Sequence, residues 1–308
     1  MKRKNDIKIG YLGLGKMGKN MVLRLLEHGV EVVVWNRSPE KVDEVVKSGA
    51  IGASSIKDLV GKLDSPRTIW LMLPQGEPTS LVLNELKRSL NKGDLVIDGG
   101  NAYYKDSVGR AKELADIGVD FMDIGVSGGP AGARKGACLM IGGKRELFEK
   151  NKKLFEALAA KDAYGYFGEV GAGHYVKMVH NGIEYGMMES IAEGAAILKN
   201  SEYNLDLAAV FSVYNKRSVI ESRLVGWMQE AFSENPDLSG IRAKIDHTGE
   251  GEWTLKEAKK LKVDTPSIRK AFEVRLNSEK DDPNSANGFR NRAVSALRER
   301  FGQHEVRA

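Results

Sequence analysis

Residues 7–29, IKIGYLGLGKMGKNMVLRLLEHG, hold an apolar run, a glycine loop and an amphipathic segment in that order. Gly13, Gly15 and Gly18 stand at GxGxxG spacing, with Leu14, Lys16 and Met17 between them. IKIGYL (7–12) reads as a buried strand and KNMVLRLLEHG as the helix after it, so the glycines fall on a strand-to-helix turn. Glycine there permits a tight turn and a close approach of backbone to a pyrophosphate, whose charge rests on the N–H groups opening the helix. The pattern repeats downstream. EVVVW (31–35), TIWLML (68–73), LVID (95–98) and DFMDIGV (120–126) are further strand candidates separated by amphipathic segments. That alternation predicts a Rossmann-type α/β domain, a parallel sheet covered by helices on both faces.

Ligands of open α/β sheets bind at the carboxyl ends of the strands, and those ends carry the remaining candidates. The second strand ends in WNRSPEK, where a site selecting NAD usually places an acid for the ribose 2′-hydroxyl. Asn36 stands there instead, followed by Arg37 and Ser38. This favours NADP, with NAD as the alternative, since an arginine accommodates a 2′-phosphate. An exposed arginine in an ordinary turn is the plainer explanation of Arg37. Leu73, Pro74 and Gln75 are candidates for the nicotinamide side. Asn101 of DGGN both donates and accepts hydrogen bonds, so it suits a contact to cofactor and substrate together. GVSGGPAGARKGACLMIGG (125–143) offers the Ser127 hydroxyl and the open backbone of Gly128 and Gly129 to an anion.

From about residue 172 helical patterns take over: HYVKMVHNGIEYGMMESIAEGAAILKN, then LDLAAVFSVYN, LVGWMQEAF, TLKEAKKL, SIRKAFEVRL and ANGFRNRAVSALRERF. Thr254, with Glu257 three residues later, predicts a capping box. In the first of these helices Lys177, His180, Asn181 and Glu184 follow i, i+3, i+4, i+7 spacing and share a side, with Tyr185 next to them. Val176, Met178, Val179, Ile183 and Met187 cover the rest, which predicts a helix packed on most sides. A polar stripe in such surroundings has to meet something polar.

Composition narrows the classes. The 308 residues are 42% hydrophobic and 29% charged, which suits a globular chain of two domains, expected at 1–170 and 171–308. No run of 18 or more residues is apolar, and MKRKNDIKIGYLGLG passes from charge straight into the glycine loop, so a cytoplasmic protein with no membrane partner is expected. One cysteine, Cys138, excludes an internal disulfide and a cysteine-based metal cluster, and suits a reducing compartment. The net charge of +5, from 47 basic and 42 acidic residues, suits an anionic small substrate and is too weak to argue for nucleic acid.

GLGKMGKN, WNRSPEKV, DGGN, GVSGGPAGARKGACLMIGG and KMVHNGIEYGMM, in that order, resemble the decarboxylating 6-phosphogluconate dehydrogenases, in their short form, within the β-hydroxyacid dehydrogenase superfamily. KxxHNxxEY is the discriminating motif. The resemblance implies oxidative decarboxylation of 6-phosphogluconate, a sugar-acid phosphate, to ribulose 5-phosphate in the pentose phosphate pathway and gluconate utilization. By the same resemblance Lys177 is the base, Glu184 the acid that protonates the enediol, and His180, Asn181 and Tyr185 hold substrate. Asn101, Ser127, Gly128 and Gly129 match contacts at the carboxylate end, and Arg275 a phosphate-binding arginine. The tail RERFGQH (298–304) is similar to the family's RxxFGxH, which implies that Arg298 and His304 reach a neighbouring subunit's site. The helical half is then a substrate-binding and dimerisation domain of a homodimer or homotetramer.

Physical chemistry agrees with the central roles. A lysine near its usual pKa of about 10.4 is a poor base, and desolvation lowers it, while the same burial raises a carboxyl. No metal is required, because a protonated lysine can hydrogen-bond the carbonyl of a 3-keto acid as carbon dioxide leaves. One segment departs from the family. DHTGEGEWT (246–254) stands where the long enzymes carry a KGTGKW-like stretch with a phosphate-binding lysine, and Glu250 and Glu252 would repel a phosphate. Two rivals stay open. Another β-hydroxyacid dehydrogenase, of the 3-hydroxyisobutyrate or semialdehyde reductase type, would share the fold and Lys177. A non-catalytic dinucleotide sensor would have no use for a buried Lys and Glu on one helix.

Overall fold

The computed structural model describes residues 7–247 and 249–307; residues 1–6, Thr248 and Ala308 lie outside them. The chain divides into two compact units between Lys177 and Met178.

The first unit runs β1 (Lys8–Leu12), α1 (Lys16–Glu27), β2 (Glu31–Trp35), α2 (Pro39–Val46), β3 (Ile51–Gly52), α3 (Ile56–Gly61), β4 (Thr68–Leu71), α4 (Glu77–Leu86), β5 (Leu95–Asp98) and α5 (Tyr104–Ala115). It continues with β6 (Asp120–Ser127), α6 (Gly129–Lys135), β7 (Ala137–Gly142), α7 (Arg145–Lys150), α8 (Lys152–Leu158) and β8 (Ala159–Gly168). The strands form one sheet in the order β3-β2-β1-β4-β5-β6-β7-β8. Successive side chains of a strand point to opposite faces. Accordingly Val32 and Val34 join Ile9 and Tyr11 in one apolar cluster, while Val33 joins Leu12 and Leu71 in another. Both faces are covered, which is why these strands read as unbroken apolar runs. Strand order reverses beside β1, and the resulting crevice is where such sheets hold ligands.

The sheet is parallel from β3 through β6, but β7 runs antiparallel to β6, with Ser127 opposite Cys138. The expected parallel sheet is present, with one antiparallel pair added at β6 and β7. Only residues 128–136 connect the two strands, including the short α6, and a parallel crossover needs about a dozen residues or more.

The second unit is helical. α9 (Ala172–Lys199) carries the chain into it, followed by α10 (Leu207–Tyr214), α11 (Arg223–Glu234), α12 (Glu250–Lys260), α13 (Pro266–Asn277) and α14 (Ala286–Gly302). Phe232 stacks on Phe289 and meets Phe211 at a tilt in its core, with ring centroids 6.1 and 5.6 Å apart. Helix starts are set by side-chain caps: Asp206, Ser222 and Ser285 accept the amides of Ala209, Val225 and Gly288 at 3.2, 3.2 and 3.1 Å. The capping box expected at Thr254 is absent. α12 opens four residues earlier, behind Gly249, whose φ of 102° turns the chain into the helix. Thr254 is buried mid-helix, its hydroxyl 2.9 Å from the Glu250 carbonyl and 2.8 Å from that of Met178.

Candidate active site

A cavity of about 450 Å³ in the first unit brings together Gly13, Gly15, Asn36, Arg37, Ser38, Leu73 and Pro74, seven of the expected cofactor residues. The glycine loop has the shape of a pyrophosphate cradle. Gly13 has a φ of 101°, and a Cβ there would run into the Met72 carbonyl; a Cβ on Gly18 would run into the Gly13 carbonyl. Gly15 caps α1 with open space around it, and the first turn carries neither an acidic residue nor a side-chain cap. The helix start is thus left to an anion. Leu14 is buried, and its amide donates to Asn36 Oδ1 at 2.9 Å, while Asn36 Nδ2 donates to the Ser38 carbonyl at 3.2 Å. Asn36 therefore ties loop and second strand together, while Arg37 beside it is exposed at the cavity. Lys16, Met17 and Gln75 are not among the residues lining this cavity. These residues fit a nicotinamide dinucleotide.

Further along the sheet, Asp98 at the end of β5 pairs with Arg110 at 2.9 Å and accepts the Gly100 amide at 3.1 Å. The turn so fixed presents Asn101 on the surface. β6 ends in half-buried Ser127, and Gly128 and Gly129 take φ of 122° and 63°, a conformation that side chains resist, to enter α6. Half-buried Lys177 packs its stem against β6: a Cβ on Gly125 would fall on the Lys177 Cβ and 3.0 Å from its Cγ.

In the second unit the polar stripe of α9 is a connected group. His180 Nδ1 lies 2.9 Å from Asn181 Oδ1 and 3.7 Å from Glu184 Oε2. Asn181 is buried, and the Glu184 side chain is 21% exposed. The expectation of packing on most sides fails at Ile183 and Met187, which are 53% and 42% exposed and line an open apolar groove. Tyr185 is buried, and burial pushes its hydroxyl above the usual range. Arg275 lies on its ring, guanidinium carbon 3.4 Å from the centroid, with the Met188 sulfur at 3.9 Å. Gly251 packs against the other atoms of that ring, where a Cβ would come within 2.7 Å of Tyr185 Cε2.

Two guanidinium groups meet around Tyr185. Arg275 and Arg298 are 3% and 5% exposed, and among the described residues neither forms an ion pair with a carboxylate. Burial brings Arg275 down to about 10, opposed by Tyr185 and reinforced by the charge of Arg298. Burial also lowers Arg298, against the opposing pull of Tyr185, Asp246, Glu250 and Glu184. Arg298 thus lies buried near Tyr185 of its own chain. Ala293, Val294, Ala296 and Leu297 bury α14 in the same helical core and hold it there. His304 is half-buried with its ring edge-on to Phe301, centroids 6.3 Å apart. The two acids expected to repel phosphate part ways: Glu252 pairs outward with Lys256 at 2.8 Å, and Glu250 is buried.

The family model described as the NAD binding domain of 6-phosphogluconate dehydrogenase matches residues 8–168, and that of the 6-phosphogluconate dehydrogenase C-terminal domain matches 173–307. The chain belongs to the 6-phosphogluconate dehydrogenase family. The NAD(+)-dependent decarboxylating 6-phosphogluconate dehydrogenase of Haloferax volcanii is 39% identical, covering 97% of this chain and 98% of that one. The NADP(+)-dependent decarboxylating enzyme of Bacillus subtilis is also 39% identical, over 91% of this chain and 63% of its own longer length. Among solved structures, Plasmodium falciparum 6-phosphogluconate dehydrogenase superposes with a TM-score of 0.81 at 30% identity, over 94% of this chain and 70% of that one. A Salmonella typhimurium 3-hydroxyisobutyrate dehydrogenase, TM-score 0.75 at 19% identity, shares the fold.

As a 6-phosphogluconate dehydrogenase family member the chain is an oxidoreductase with a nicotinamide dinucleotide domain. No helix among the described residues is long and apolar enough to cross a membrane. Two groups in these units escaped sequence reading. Lys41 lines the dinucleotide cavity beside Arg37, and its signal was a second cation four positions on, in the first turn of α2. Glu189, buried near Arg275, had none, because its partner Arg290 lies on α14.

Proposed function

We propose that the chain oxidises and decarboxylates 6-phosphogluconate to ribulose 5-phosphate and carbon dioxide, reducing NADP, with NAD as the alternative. The observation that carries this reading is the pair of buried guanidinium groups beside the KxxHNxxEY helix, Arg275 and Arg298, which among the described residues form no ion pair with a carboxylate and feel Glu184, Glu189, Asp246 and Glu250 only at longer range. Burying two like charges costs several kcal/mol unless an anion joins them, and a phosphate meets that demand with its oxygens in the fork geometry arginine favours. This supplies the phosphate contact that DHTGEGEWT lacks.

The proposed chemistry follows from the side chains. Lys177 Nζ takes the proton of the C3 hydroxyl. The nicotinamide cofactor, when bound, supplies the hydride acceptor for C3, with Gly13, Gly15, Arg37 and Ser38 holding its phosphate and ribose end. Protonated Lys177 then hydrogen-bonds the C3 carbonyl oxygen, which draws electrons as the C1 carboxyl leaves as carbon dioxide. Glu184 delivers a proton to the enediol carbon that was C2 of the substrate and becomes C1 of ribulose 5-phosphate. His180, Asn181 and Tyr185 orient the sugar, and Asn101, Ser127, Gly128 and Gly129 hold its carboxylate end. The exposed thiol of Cys138 suits the reducing cytoplasm. A homo-oligomer is supported by the groove of about 880 Å³ around exposed Ile183, Met187, Ile197, Val219 and Ile220, and light scattering giving a monomer at micromolar concentration would contradict it.

The test is absorbance at 340 nm with NADP or NAD and either 6-phosphogluconate or 3-hydroxyisobutyrate. Reduction with the first substrate and none with the second is expected. The reverse would transfer the chain to the other β-hydroxyacid activity.

A further inference from the structure

Met122, Ile124 and Val126 of β6 turn into an apolar cluster of the first unit, so the alternate residues Asp123, Gly125 and Ser127 share the opposite face. That face meets the start of α9. Asp123 is fully buried, and its two oxygens divide the work: Oδ1 accepts the Gly171 amide at 2.7 Å and Oδ2 the His174 amide at 2.7 Å. It thereby caps a helix N-terminus, where a carboxylate is favoured by both unpaired amides and the helix dipole. The His174 ring is held as well, with Nδ1 2.7 Å from Ser107 Oγ and 4.0 Å from Asp123 Oδ2. Gly173 leaves no slack between them, since a Cβ there would land on the carbonyls of Asp123 and Met140. Two residues along the strand Gly125 receives the stem of Lys177, and two further on stands Ser127.

We infer that this face of β6 is the template that sets where Lys177 stands relative to Ser127, with Asp123 as the positioning residue and Gly125 as the seat. The inference rests on the reading of Lys177 as the base. Asp123 touches no reacting atom; it fixes the first turn of α9 in register with the strand whose end bears Ser127. Gly125 contributes by lacking a side chain, so that the lysine stem lies against backbone.

The test compares Asp123→Asn and Gly125→Ala with the unaltered protein. Asparagine keeps the size but accepts through one oxygen, leaving the amide of Gly171 or of His174 facing an NH₂ group. Asp123→Asn should lower kcat about 10- to 100-fold while the KM for NADP stays within about two-fold, the signature of a displaced reacting group. The acid limb of its kcat profile should move, because the lysine's surroundings change. Amide exchange over residues 171–177 should accelerate about ten-fold or more, with α11 unchanged. Gly125→Ala keeps the carboxylate clamp but crowds Lys177 Cβ and the Gly173 carbonyl, so it should lower kcat with a smaller rise in exchange than Asp123→Asn gives. Two folded variants with unaltered kcat and pH profile would overturn the inference, as would unchanged exchange in Asp123→Asn. Lys177→Ala is the control: if it keeps turnover, the reading of the base fails, and the exchange measurement still decides whether Asp123 clamps the helix.

Discussion

Arg275→Met separates substrate recognition from stability, because the two should move in opposite directions. Burial pushes the Arg275 pKa down to about 10, well below the usual arginine range, which means that folding disfavours its charge. For a base depressed in this way the penalty is fully present below pH 10 and disappears only above the unfolded value, so at pH 7 all of it is felt. The shift corresponds to about 3 kcal/mol at about 1.4 kcal/mol per pKa unit. Methionine keeps much of the volume and removes the charge, at the loss of the stacking on Tyr185, worth about 1–2 kcal/mol. The ligand-free protein should therefore gain about 1–2 kcal/mol, or a Tm rise of about 2–8 °C. Substrate recognition should fall. A charge-assisted hydrogen bond contributes about 1.5–3 kcal/mol, so kcat/KM for 6-phosphogluconate should drop about 10- to 100-fold against an almost unchanged value for gluconate. The assay pairs calorimetry of the ligand-free protein with initial rates on both substrates. A variant that is less stable and keeps the unaltered preference for the phosphorylated substrate would refute the reasoning.

Three further outcomes are expected. Arg37→Asp should shift the ratio of kcat/KM between NADP and NAD towards NAD by about 10- to 100-fold, read from initial rates with each cofactor, since a carboxylate repels a 2′-phosphate and accepts from a 2′-hydroxyl. Glu189, its carboxyl pushed up to about 7 by burial, favours the folded state as a neutral group. That contribution is complete below about pH 4.5 and lost as pH rises through 7, so Glu189→Gln should add up to about 3 kcal/mol at pH 8 and nothing at pH 4, measured by denaturant unfolding at both. Arg298→Ala should raise the KM for 6-phosphogluconate in a protein whose binding of NADP, followed by fluorescence, is unaltered.

The first unit was legible because its strands are buried on both faces, and such strands spell themselves as apolar runs: EVVVW and LVID coincide with β2 and β5. The glycine loop was legible for a related reason, since Gly13 and Gly18 stand where no Cβ fits. Less visible was β7, whose ACLMIG sits among glycines that read as an anion-binding loop, and whose direction depends on the length of the link before it. Burial misled at Ile183 and Met187, where the same apolar pattern serves an open groove instead of a core. Thr254 had a capping sequence without the backbone to use it, because Gly249 starts α12 first. The spacing of Lys177, His180, Asn181 and Glu184 was readable from helical periodicity alone. Arg298 beside Tyr185, and Arg290 beside Glu189, depend on tertiary packing that no local pattern encodes.

The most direct measurement follows 6-phosphogluconate labelled with carbon-13 at C1, recording labelled carbon dioxide and reduced cofactor in one time course for the unaltered protein and for Lys177→Ala. The account predicts one labelled carbon dioxide for each cofactor reduced, and neither product from the variant although it still binds NADP. Cofactor reduction without labelled carbon dioxide, or a variant that turns over at the unaltered rate, would contradict it.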